Sequence, residues 1–134
     1  MREEKIFRAE ISEFESANDF LNEFLEKNDC PMKIAINVSV AFEELFVNVA
    51  SYAYPEGSGD VKVTLVFENN RVSVTLADKG IEYNPLIKED PDVTLNADER
   101  PIGGLGIFMV KKMMDDISYE YADGENRITF AKGI

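Results

Sequence analysis

A chain of 134 residues, 45% apolar and 30% charged, has the length and composition of one folded domain. Its formal net charge of −12 argues against a nucleic-acid partner held through phosphates and against an anionic membrane surface, and leaves a basic protein surface open. With no histidine and a single cysteine, a Ser-His-Asp triad, a His-ligated zinc site, a phosphohistidine on this chain and an internal disulfide are all excluded. Cys30, without a His to activate it, reads as a helix-end residue in a reducing compartment rather than a nucleophile. The start Met1-Arg2-Glu3-Glu4-Lys5 has no apolar run behind it, so no signal peptide is expected. Nor is a segment approaching the ~18 apolar residues of a membrane span. The expected location is cytoplasmic.

In chain order, Lys5 to Ile11 alternates through Ile6, Ala9 and Ile11 and predicts a short edge strand. Ser12 or Ser16 can cap a helix carrying Phe14, Ala17, Phe20, Leu21, Phe24 and Leu25 at helical spacing. Asn28-Asp29-Cys30-Pro31 breaks it. A longer helix runs from Met32 to Tyr54 through Ile34, Ile36, Val38, Ala41, Leu45 and Val49, and Pro55-Glu56-Gly57-Ser58-Gly59 ends it. Val61–Phe67 and Arg71–Ala77 read as strands joined by the hairpin turn Glu68-Asn69-Asn70. Residues 79–103 show no sustained period, and so long a loop in a small domain suggests a lid. Helix returns at Leu105–Asp115. Two last strands follow, Ile117–Ala122 and Arg127–Ala131, about the turn Asp123-Gly124-Glu125-Asn126. Grouped hairpins with grouped helices predict an α+β two-layer sandwich, with helices on one face of a mixed, mostly antiparallel sheet.

Three clusters carry chemistry. Glu44 and Asn48 are four apart on the long helix and share a face one turn apart. A carboxylate beside an amide oxygen suits Mg²⁺ bound jointly with substrate phosphates, or a hydroxyl polarised for attack, or simply a solvated helix face. Asp78-Lys79-Gly80 lies where an apolar strand stops. Its aspartate can accept from an exocyclic amine such as that of adenine, and its glycine lets a ring approach the backbone; a plain strand-ending turn is the bland alternative. Gly103-Gly104-Leu105-Gly106 opens the helix Ile107-Phe108-Met109-Val110. Glycines without Cβ atoms and the free N–H groups of a helix start form a phosphate cradle, or else a hinge. No Walker A pattern occurs, and the cluster does not open a βαβ unit, so a dinucleotide fold is disfavoured.

The order of these clusters resembles the asparagine and glycine boxes of the GHKL ATPase superfamily. The run from Gly103 through Met113-Met114-Asp115, with Tyr119-Glu120-Tyr121 and Gly124-Glu125-Asn126-Arg127-Ile128-Thr129, resembles the bacterial anti-sigma factor serine kinases across essentially the whole chain. The resemblance implies a single GHKL (Bergerat) ATP-binding domain over residues 1–134, with its lid at about 79–103. It implies Asn48 as a Mg²⁺ ligand, Glu44 as general base, Asp78 on the adenine amine and Gly80 lining the base pocket. Gly103, Gly104, Leu105 and Gly106 would hold the phosphates, and Arg100 would reach the γ-phosphate. Thr129 lies near the position of an adenine-side threonine, in an open register. Ile81-Glu82 stands where many relatives have another glycine. The implied function is transfer of phosphate from Mg·ATP to a serine of a STAS-type antagonist, with sequestration of a sigma factor by a homodimer. The alternatives are a non-catalytic nucleotide-dependent partner switch, the detached ATP-binding domain of a histidine kinase system, and a fold that has lost its nucleotide.

Overall fold

The computed structural model describes residues 1–87 and 105–134. The sheet has five strands: β1 (Arg2–Arg8), β2 (Asp60–Glu68), β3 (Arg71–Asp78), β4 (Asp116–Ala122) and β5 (Glu125–Gly133), in the order β1-β2-β3-β5-β4. All four pairings are antiparallel. Three helices accompany it: α1 (Phe14–Lys27), α2 (Met32–Tyr52) and α3 (Leu105–Met113). This is the expected α+β sandwich, with the sheet antiparallel throughout the described residues.

Strand alternation decides which face is covered. On β2 and β3, Val61, Val63, Leu65, Val72, Val74 and Leu76 are buried and meet a stripe on α2 of Val38, Ala41, Phe42, Leu45, Phe46 and Val49. That 3–4 spacing keeps every member on one helix face. Phe14, Phe42 and Phe46 pack ring to ring with centroids 5.7–6.0 Å apart. Burying each such side chain contributes about 1.5–3 kcal/mol. The opposite face of the sheet is a polar ladder. Register places Glu4, Thr64, Thr75, Thr129 and Ser118 in one row across all five strands. In it Thr64 donates to Glu4 at 3.0 Å, and Thr75 and Thr129 share a 2.8 Å hydrogen bond.

Several boundaries differ from the sequence reading, each for a physical reason. β1 lies earlier than Lys5–Ile11, because its register on β2 runs from Arg2↔Val66 to Arg8↔Asp60. As an edge strand its outward row is charged, which hides the alternation. Neither Ser12 nor Ser16 caps α1: a 3₁₀ turn, Ile11–Glu13, runs straight into the helix, and Phe14 N–H bonds back to the Ile11 carbonyl. Asn126 belongs to β5 rather than to a turn. Asp123 and Gly124, with φ of 55° and 74°, complete a two-residue turn by themselves, so the strand resumes at Glu125. The expectation that no apolar segment reaches membrane-spanning length is also corrected. By length and composition α2 does, with a mean hydropathy of 1.4. In this fold its apolar stripe is the centre of the core.

Candidate functional site

The covered face of the sheet is apolar until its end. There, Asp78 closes β3 and Asn126 sits directly opposite it on β5. These are the two buried polar side chains among the described residues, at 5% and 7% exposure. Buried polar groups must be hydrogen-bonded, and both are. Asp78 Oδ1 accepts from Gly80 N–H at 2.9 Å and from Asn126 Nδ2 at 3.0 Å. Asn126 Nδ2 also donates to the Ile81 carbonyl at 2.8 Å. Its Oδ1 accepts from Tyr83 N–H at 3.1 Å and from the Tyr119 hydroxyl. Burial pushes the Asp78 carboxyl above the ordinary aspartate range, repulsion from Glu125 adds to this, and the two hydrogen bonds oppose it. A carboxylate perturbed by burial inside a cleft marks a candidate functional site.

Above this pair a small cavity opens between α2 and the sheet. Leu45, Val49, Ala53 and Ile128 form its apolar walls, and Asn48, Asp78 and Asn126 its polar points. Three tyrosines stand around it: Tyr52 on α2, Tyr83 on the segment after β3 and Tyr119 on β4. The Tyr52 and Tyr83 rings approach to 6.5 Å at 44°. An apolar concavity with a few convergent polar groups is the usual form of a small-molecule site.

Gly80 is glycine because the chain turns hard against the C-terminal end of α2. A Cβ there would lie 2.6 Å from the Ala53 carbonyl carbon, and Ile81 N–H bonds to the Ala53 carbonyl oxygen at 2.9 Å. Its close approach is thus to the backbone of α2. Tyr54 braces the same corner, its hydroxyl accepting from Lys79 N–H at 2.9 Å and donating to the Asp60 carbonyl at 2.6 Å.

At the other end of the cleft, one turn of α2 before Asn48, the exposed Glu44 side chain lies over the first turn of α3. A Cβ on Gly106 would stand 2.7 Å from the Glu44 carboxyl carbon. Asn48 is half-buried and lines the cavity. The structure therefore places Asn48 and Asp78 on one cavity, Gly80 beside it against the end of α2, and Glu44 one helical turn from Asn48 against Gly106. Leu105 contributes the first backbone position of α3. Arg100, Gly103 and Gly104, and most of the 79–103 lid, lie outside the described residues. Thr129 faces the open side of the sheet, bonded to Thr75, away from the cavity. Sequence reasoning missed Asn126, Tyr119 and Tyr52. The Asp-Gly dipeptide at 123–124 held the signal for Asn126, since a two-residue turn puts it in the strand that pairs with Asp78.

Among the described residues no group of three or more acidic, Cys or His side chains could hold a metal ion alone. The Asn48 amide oxygen, with the Glu44 carboxylate one helical turn away, is a donor set that a cation shared with substrate phosphates could use.

A family model described as the histidine kinase-like ATPase domain matches residues 7–132. Among curated proteins, serine-protein kinases named RsbW from Bacillus cereus and Bacillus thuringiensis are each 27% identical to this chain over 92 residues. Those alignments cover 66% of this chain and 58% of each relative, less than two thirds of the relatives' length. Among solved structures, the RsbU and RsbW domains of Rv1364c from Mycobacterium tuberculosis share the fold, with a TM-score of 0.70 at 13% identity. That alignment covers 99% of this chain and 32% of the other.

Proposed function

The chain belongs to the histidine kinase-like ATPase domain family, and from that premise we propose that it is an ATP-dependent serine kinase of the anti-sigma type. The observation that carries the reading is the buried Asp78 carboxylate at the floor of a tyrosine-rimmed apolar slot, with Asn48 on its wall. Such a slot takes a purine ring, and the carboxylate accepts from the exocyclic amine of adenine. Guanine would present a carbonyl oxygen there, acceptor against acceptor.

In this reading the triphosphate runs from Asp78 past Asn48 towards the start of α3. The free N–H groups of that helix start and its dipole hold the phosphates, with Gly103, Gly104, Leu105 and Gly106 as the cradle. Arg100 pairs with the γ-phosphate by residue type. Asn48 would hold Mg²⁺, which would supply charge neutralisation at the phosphate oxygens. Glu44 takes the proton of an incoming serine hydroxyl. As that proton leaves, the serine oxygen bonds to the γ-phosphorus, and the bond to the β–γ bridging oxygen breaks to release ADP. Positioning and charge do most of the work in such a transfer.

The acceptor is a serine of a STAS-type antagonist, and a sigma factor is the second partner. The relatives' description as serine-protein kinases supports a serine acceptor. The net charge of −12 suits basic surfaces on either. The chain works as a homodimer in the cytoplasm, and β1, an edge of the sheet, offers unpaired backbone for assembly.

The test is incubation with γ-labelled ATP, Mg²⁺ and a STAS-domain protein, with titration calorimetry for ATP alongside. Label on a serine of the STAS protein, lost in Glu44→Ala and in Asn48→Ala, is expected. ATP binding without label transfer would leave a partner switch; no binding would end the proposal.

A further inference from the structure

Asn126 makes four hydrogen bonds with one amide group, and they reach three separate pieces of chain. Two are donated, to the Asp78 carboxylate on β3 and to the Ile81 carbonyl. Two are accepted, from the Tyr83 N–H and from the Tyr119 hydroxyl on β4. Ile81 and Tyr83 are the first residues of the long segment that follows β3, so the side chain that fixes the carboxylate also fixes where that segment begins.

The use of atoms is informative. Both bonds to Asp78 end on Oδ1. Oδ2 accepts none among the described residues, and Asp78 lines the cavity. With Oδ1 held from two sides, rotation about the Asp78 side chain is blocked and Oδ2 is left as the acceptor for a ligand. The Tyr83 N–H, which can only donate, and the Ile81 carbonyl, which can only accept, fix which end of that amide donates, and the Tyr119 hydroxyl adds a second donor at Oδ1.

We infer that Asn126, braced by Tyr119, is a positioning residue that couples base recognition by Asp78 to the placement of the loop at Ile81–Tyr83. The inference rests on the ATP reading for its ligand, but the clip itself is a property of the free chain. Without the Asn126 amide, Asp78 keeps only the Gly80 N–H, its carboxylate turns freely, and an acceptor aimed at an amino group becomes an acceptor aimed nowhere in particular. Discrimination between adenine and guanine is then lost faster than affinity, because apolar contacts with the ring persist for both.

The experiment uses the full chain as wild type, Asn126→Ala and the milder Tyr119→Phe, which keeps the ring and removes only the hydroxyl. Dissociation constants for Mg·ATP and Mg·GTP are measured, with amide hydrogen exchange on the free proteins. In Asn126→Ala the preference for ATP over GTP is expected to fall about tenfold, the size of one well-placed hydrogen bond to a charged group. The Tyr83 amide is expected to exchange faster, while the Ile81 amide, held by Ala53 rather than by Asn126, keeps its protection. Tyr119→Phe should move both readouts the same way by less. Equal weakening of both nucleotides, or an unchanged ratio, reduces Asn126 to a structural residue and overturns the positioning role. An unchanged Tyr83 amide overturns the link to the loop. If the wild-type chain binds neither nucleotide, the ATP reading and the selectivity claim fall together, and the exchange data alone decide whether the clip exists.

Discussion

The two ends of the cleft are built on opposite principles. At the Asp78 end the polar side chains are buried and hydrogen-bonded to one another, and backbone packs on backbone at Gly80 and Ala53. At the Glu44 end the carboxylate is exposed and lies against the first turn of α3 at Gly106. The first end is part of the core and cannot change without straining the fold. The second stands on the rim, where a side chain is free to meet a phosphate or an acceptor protein. In the proposed reading, binding and folding are thus joined at one end, while chemistry at the other is separable from stability.

The largest expected effect lies at the exposed end. Glu44→Gln keeps shape and loses the proposed proton acceptor, so phosphoryl transfer should fall at least about a hundredfold, the usual weight of a general base. Stability should stay within about 0.5 kcal/mol, as for other surface changes. Single-turnover transfer and denaturant unfolding measure the two. A large stability loss in this variant would erase the contrast between the ends. A matched pair of glycine substitutions sharpens it. Gly80→Ala drives a Cβ into the Ala53 backbone and should cost about 2–3 kcal/mol, the range for overpacking. Gly106→Ala meets only the movable end of Glu44 and replaces a helical glycine, so stability should be level or rise by up to about 1 kcal/mol. Its transfer rate should still drop, because the Glu44 carboxylate is pushed aside.

These expectations show where the sequence spoke clearly and where it did not. The hairpins were legible because Asn69-Asn70 and Asp123-Gly124 carry the positive φ values that tight turns demand. α2 was legible from its 3–4 stripe. Glu44, Asn48 and Asp78 could be singled out one by one, yet nothing along the chain says that Glu44 rests on Gly106 or that Asp78 faces Asn126. Such facts depend on which strand lies beside which, and the order β1-β2-β3-β5-β4 places β5 inside and β4 at the edge. Asn126 looked like turn filler because asparagine is a turn former. Its environment overrode its propensity.

A pH titration reads the buried end alone. The Asp78 carboxyl is raised in the folded chain, mainly by burial, so the native state holds that proton more tightly than the unfolded state. Its contribution to stability is therefore present at low pH and lost as pH rises through the raised value. Acceptance of an adenine amine needs the ionised form, so ATP affinity should rise over the same interval. Wild type compared with Asp78→Asn isolates both slopes from other carboxyls, such as Asp115, which a Gly133 N–H bond holds below the ordinary range. Opposite signs for the two slopes are expected; parallel slopes would mean that Asp78 does not meet the nucleotide.

The smallest effect is expected across the sheet. Thr129 is three residues from Asn126 on the same strand, but the pleat turns it to the open face, where it bonds to Thr75. Thr129→Val removes that bond and keeps the β-branched shape, at a cost of about 0.5–1.5 kcal/mol for one net hydrogen bond. ATP affinity should change by less than about twofold, since no cavity group moves, whereas Asn126→Ala shifts selectivity from the same strand. A clear loss of ATP binding in Thr129→Val would place the base on the other side of β5, and the buried pair at Asp78 and Asn126 would then be a feature of folding alone.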